Sequence, residues 1–107
     1  MIALVEDNRE AIVALCERYG VRRLSVFGSA VTGTFDPATS DVDFLVDLGE
    51  YDDRVGRRFM RLIVALEDMM GRRIDVVTEP VTKPWLREEV DATKVTIYES
   101  ASSQTAA

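Results

Sequence analysis

Apolar positions along the chain recur at two spacings, three-to-four and two, and each change of spacing marks a change of element. Over residues 7–19, DNREAIVALCERY, Ile12, Leu15, Cys16 and Tyr19 fall at helical spacing. Asp7 or Asn8 is placed to cap this helix and Gly20 to end it. Residues 22–28, RRLSVFG, alternate instead: Leu24, Val26 and Gly28 point one way, Ser25 and Phe27 the other. A sharp turn, GSAVTG, and a polar loop, TFDPATS, follow. A second strand, DVDFLVDL (41–48), puts Val42, Phe44, Val46 and Leu48 on one face and Asp41, Asp43, Leu45 and Asp47 on the other. Residues 52–70 carry the longest helical stripe, Phe59, Leu62, Ile63, Leu66 and Met70, with Gly71 suited to a left-handed cap. RIDVVTE (73–79) is a third strand, with Ile74 and Val76 opposite Asp75 and Val77. Beyond Pro80 the pattern weakens. It allows a short helix near Pro84, an edge strand over KVTIYE (94–99) and a small, polar, disordered tail over 100–107. No repeat or second domain is visible, so residues 1–99 are expected to form one domain.

The acids at the strand mouths are the feature that packing does not explain. Asp41 and Asp43 are two residues apart and share a strand face. Carboxylates that close repel and raise one another's pKa, an arrangement that a divalent cation makes favourable. Asp75 interrupts a later apolar strand in the same way. If the second and third strands are neighbours, all three acids meet on one patch. They could then hold two metal ions, and Asp75 is the candidate base for a nucleophile's proton. The Gly28-Ser29 turn, ending one strand and opening a helix, offers backbone N–H groups and a hydroxyl to an anion such as phosphate. Gly33 would let the backbone turn or approach closely. The bland alternative has Asp41 capping a turn, Asp43 on a solvated face and Asp75 at a strand end.

Composition narrows the chemistry. The 107 residues are 47% apolar and 30% charged, enough for one core but not for a deep two-lobed cleft. A formal charge of −6 argues against direct nucleic-acid binding and favours a basic protein partner. The absence of His removes the usual general base and zinc ligand. Cys16, the lone cysteine, is expected to be a buried small hydrophobe. No apolar run is long enough to span a bilayer and no signal-peptide layout is present, so a cytoplasmic protein without a membrane role is expected.

The run VFGSAVTG…SDVDFLVDL…RIDVV resembles the minimal nucleotidyltransferases of the DNA polymerase beta superfamily. Their motif is Gly-Ser, a loop of about ten residues, Asp-x-Asp and a distal Asp. The resemblance covers roughly residues 8–80. It implies an α+β, two-layer, polymerase beta palm-like fold: a mixed sheet with helices on one face and catalytic acids on the other. It implies that Gly28 and Ser29 hold the triphosphate and that Asp41, Asp43 and Asp75 bind the metals, expected to be two Mg²⁺ ions. Small stand-alone members are commonly antitoxins of HEPN-domain toxins and transfer AMP from ATP to a toxin tyrosine, which implies ATP as substrate and a HEPN toxin as partner. The stretch departs from the commonest Gly-Ser-Arg-x-Arg-Gly pattern: Ala30 and Thr32 stand where two arginines are usual, and the loop before Asp41 is one residue longer. Loss of two cations beside a triphosphate weakens charge stabilisation, for which Arg22, Arg23, Arg72 or Arg73 are the candidate replacements.

Three functions compete at this point. The first is an active adenylylating antitoxin, the second an antitoxin that silences its toxin by contact alone, and the third a nucleotide-sensing domain. Among the other residues, Arg57, Arg58 and Arg61 are read as a solvated face paired with nearby acids, and Asp47 as a solvated charge rather than a ligand. Trp85 is read as packing over the sheet edge, with partner anchoring as the alternative, and Tyr51 as a loop residue without a role. The edge strand leaves both homo-oligomers and mixed complexes open.

Overall fold

The computed structural model describes residues 1–100. Its centre is a four-stranded sheet in the order β3-β2-β1-β4. β1 (Arg23–Phe27) is antiparallel to β2 (Val42–Asp47) on one side and to β4 (Val95–Glu99) on the other. β2 and β3 (Ile74–Thr78) run parallel. A parallel pair needs a long crossover, which α4 (Val55–Met70) supplies. The sheet is therefore mixed, and the strand expected over 94–99 lies at its edge.

The alternation in the strands sorts the two faces. Leu24, Val26, Val42, Phe44 and Val46 point into the main core. There they meet Val5 of α1 (Ala3–Asp7), Ile12 and Cys16 of α2 (Arg9–Arg18), and Leu62, Leu66 and Met70 of α4. Cys16 is fully buried; burial first and neighbouring Glu17 second push its thiol up to about 12, so it behaves as a hydrophobe. On the opposite face Phe27 and Leu45 form a smaller cluster with Val90 of α5 (Pro84–Thr93), flanked by Val77, Val81 and Leu86. That face also carries Asp43 and Asp75, so one helix shares it with the acids.

Several expectations are corrected. The helix expected over 7–19 is α2, which starts at Arg9, and a short helix not expected from the sequence, α1, precedes it and meets it at Asn8. The Asn8 amide donates back to the Leu4 carbonyl at 2.7 Å, and its N–H closes α1 on Val5, so its side chain ends one helix instead of capping the next. The helix expected from 52 begins at Val55, because Asp52 Oδ1 accepts the Arg54 N–H in a preceding turn. Trp85 does not pack: it is 64% exposed. Arg58 donates to the carbonyls of Tyr19, Gly20 and Glu50, and neither it, Arg57 nor Arg61 forms an ion pair among the described residues. Tyr51 has a role after all, donating its hydroxyl to the Glu79 carbonyl at 2.9 Å. Asp47 is paired rather than merely solvated, lying 3.8 Å from both Arg22 and Arg23. Apart from Ser100, whose N–H donates to the Arg22 carbonyl, the tail expected over 100–107 lies outside the described residues. No helix of the described residues is long and apolar enough to cross a membrane.

Candidate active site

The register of the parallel pair brings the acids together. Asp43 on β2 lies directly opposite Asp75 on β3, and both side chains leave the sheet on the face away from the main core. The alternation that buries Val42 and Phe44 on one side forces Asp43 to the other. Asp41 stands one residue before β2, exposed, at the same strand mouth. The carboxyl of Asp43 is pushed up to about 6, first by burial, then by Asp75, Glu89 and Asp41 in that order. No Arg or Lys forms an ion pair with any of these four acids among the described residues.

Beside them β1 ends in the glycine turn. Phe27 is the register partner of Asp43, so Gly28 follows immediately next to that carboxylate. Gly28 adopts φ 75°, ψ −145°, a conformation that disfavours any side chain. There is also no space: a Cβ there would stand 2.7 Å from Asp43 Oδ2 and 3.3 Å from Glu89 Oε1. The Gly28 carbonyl accepts the N–H groups of Val31 and Thr32, which opens the short helix α3 (Ser29–Thr32). The N–H groups of Ser29 and Ala30 have no acceptor among the described residues. Gly33 ends α3 in the left-handed region at φ 87°.

Two residues of this site escaped the sequence reading. Glu89 contributes a fourth carboxylate, and Thr93 accepts the Gly28 N–H at 2.9 Å. The spacing of Leu86, Val90 and Thr93 signals a helix with one inward face. It carries no information on which face of the sheet that helix covers.

Three of the four candidate replacement arginines are committed elsewhere, while the side chain of Arg73, exposed just before β3, makes no hydrogen bond or ion pair among the described residues. Arg23 donates to Glu79 at 2.9 Å and to Glu99 at 3.4 Å, at the far end of β1 from Gly28. Arg72 donates to the carbonyls of Pro37 and Ser40 and stacks on Phe35, with 4.7 Å from its guanidinium carbon to the ring centroid. It therefore braces the loop that delivers Asp41. Arg22 stands beside Asp47, also away from the turn.

Asp41, Asp43 and Asp75 do not form a ready three-ligand cage among the described residues. The donor set nevertheless suits a hard cation: oxygen ligands only, uncompensated negative charge and an open approach from solvent. The groove of about 950 Å³ lined by Arg18, Arg54, Arg57, Arg58 and Arg61 belongs to the opposite layer and has no part in this geometry.

Comparison with known proteins agrees with the geometry. The sequence profile of the nucleotidyltransferase domain matches residues 9–101. The chain is 40% identical over 76 residues to the protein adenylyltransferase MntA of Thermococcus cleftensis, covering 71% of this chain and 74% of that one. A solved structure described as a candidate minimal nucleotidyltransferase superposes with a TM-score of 0.70 at 36% identity, covering 88% of this chain and 95% of that one. A chain from the complex of tri-AMPylated Shewanella oneidensis HEPN toxin with MNT antitoxin shares the fold, with a TM-score of 0.63 at 16% identity over 94% of this chain and 77% of that one. The profile covers most of the chain, including every acid of the patch and the glycine turn, and the chain belongs to the nucleotidyltransferase domain family.

Proposed function

We propose that this chain is a metal-dependent nucleotidyltransferase that moves AMP from ATP to a hydroxyl, that of a tyrosine, on a HEPN-domain toxin, and is the cytoplasmic antitoxin of that pair. The observation that carries the reading is the side-by-side placement of Asp43 and Asp75 next to the Gly28-Ser29 turn. The choice of ATP and of a toxin partner draws support from relatives: one is named a protein adenylyltransferase, and another structure contains an AMPylated HEPN toxin.

In this reading Asp41, Asp43 and Asp75 hold two Mg²⁺ ions, which when bound neutralise the triphosphate and activate the attacking oxygen. Ser29 donates its hydroxyl to a phosphate oxygen, and the N–H groups of Ser29 and Ala30 add two donors that need no side-chain cation. Asp75, more exposed than Asp43, accepts the proton of the toxin hydroxyl. That oxygen bonds to the α-phosphorus, the bond from α-phosphorus to the bridging oxygen breaks, and pyrophosphate leaves. The open acid face is compatible with an acceptor that arrives on another protein.

The test is transfer itself. The chain is incubated with ATP labelled at the α-phosphate, Mg²⁺ and the HEPN protein encoded beside it. Label on the toxin, lost on Tyr→Phe substitution of the acceptor, is the expected result. A stable complex without label would leave neutralisation by contact alone as the mechanism.

A further inference from the structure

The hydroxyl of Thr93, the last residue of α5, makes two hydrogen bonds. It donates to the Glu89 carbonyl at 2.8 Å and accepts the Gly28 N–H at 2.9 Å. Its single proton is committed within its own helix, so toward Gly28 it acts only as an acceptor. Gly28 is thereby held on both sides. Thr93 fixes the peptide plane before it, and the N–H groups of Val31 and Thr32, at 3.0 and 3.1 Å from the Gly28 carbonyl, fix the plane after it. A trans peptide points its N–H opposite to its C=O. With the Gly28 carbonyl turned into α3, the Ser29 N–H faces out of that helix.

We propose that Thr93 is a positioning residue for the phosphates of a nucleoside triphosphate: from α5 it locks Gly28 and so fixes the direction of the Ser29 and Ala30 N–H groups. The proposal rests on the nucleotidyltransferase reading above. It makes α5 a working part of the nucleotide site rather than a cover for Phe27 and Leu45. It also accounts for how a turn with Ala30 and Thr32 in place of arginines grips an anion, by rigid backbone donors instead of mobile cations.

The test is calorimetric titration of the whole chain with a non-hydrolysable ATP analogue and Mg²⁺, alongside amide exchange at Gly28 read by NMR. Thr93→Val keeps the shape and removes the acceptor; Thr93→Ser keeps the acceptor. Thr93→Val should weaken analogue binding about tenfold and speed exchange at Gly28, while Thr93→Ser stays within about twofold of the natural chain. Should Thr93→Val fail to fold, Thr93→Ala against Thr93→Ser makes the same comparison. Equal binding by Thr93→Val and the natural chain overturns the proposal alone, as does a Thr93→Ser variant as weak as Thr93→Val. A natural chain that binds no analogue overturns the nucleotide reading and this proposal with it.

Discussion

Asp43 is the residue at which structure and chemistry pull hardest against each other. Its folded-state pKa, pushed up to about 6 from 3.8, means that the folded chain holds this proton more tightly than the unfolded chain does. Its contribution to stability is therefore fully present below the ordinary carboxylate range and is lost as pH rises through about 6. Metal-free melts should show the melting temperature falling across that window. Asp43→Asn should flatten this dependence, raise the melting temperature at neutral pH by about 2–6 °C and abolish transfer. A drop of several degrees in the variant would instead make Asp43 a structural acid. Gly28 makes the opposite case, being required by both backbone and space. Gly28→Ala should cost about 1–3 kcal/mol in denaturant melts, because φ is positive and the added Cβ meets Asp43.

Elements deliver these residues, and their legibility differed for physical reasons. The alternation in DVDFLVDL and RIDVVTE was readable because a two-residue period and one buried face leave little freedom, and the faces it assigns are those observed. The short helix α1 ahead of Asn8 was not readable: five residues are too few to display a helical period, and its end depends on one side-chain amide turning back to Leu4. The face on which α5 packs was equally invisible, so Glu89 and Thr93 went unnoticed although their helix was expected. The role of Arg72 likewise depends on a contact between distant segments. It holds the 35–40 loop through Pro37, Ser40 and Phe35, and its buried Nε finds no hydrogen-bond partner among the described residues. Arg72→Ala should destabilise the fold by about 1–2 kcal/mol and weaken Mn²⁺ binding at the acids in a titration, because Asp41 loses its brace. Unchanged Mn²⁺ affinity would show that the loop keeps its place without it.

At the scale of the whole molecule two charged features lie on opposite sides of the sheet. Despite a net charge of −6, an arginine-lined groove, with Asp68 in its wall and Met60 and Val64 exposed, occupies the helical layer, while the acids that form no ion pair with an Arg or Lys among the described residues lie on the opposite face beside α5. At the end of β1 remote from the acids, Arg23 links Asp47, Glu79 and Glu99, drawing together chain segments from across the sheet. Because Arg23 is part-exposed, Arg23→Ala should cost no more than about 1 kcal/mol, and that loss should shrink in high salt. Analogue affinity should be unchanged in the same variant, since this cluster and the glycine turn occupy opposite ends of the strand. The central claim is that Asp41, Asp43 and Asp75 gather metal beside a phosphate-holding turn. Diffraction from crystals of the chain with Mn²⁺ and a non-hydrolysable ATP analogue tests it most directly. The account predicts anomalous peaks among the three carboxylates with the analogue's phosphates against Ser29; an ordered analogue bound elsewhere, with no metal peak at the acids, would contradict it.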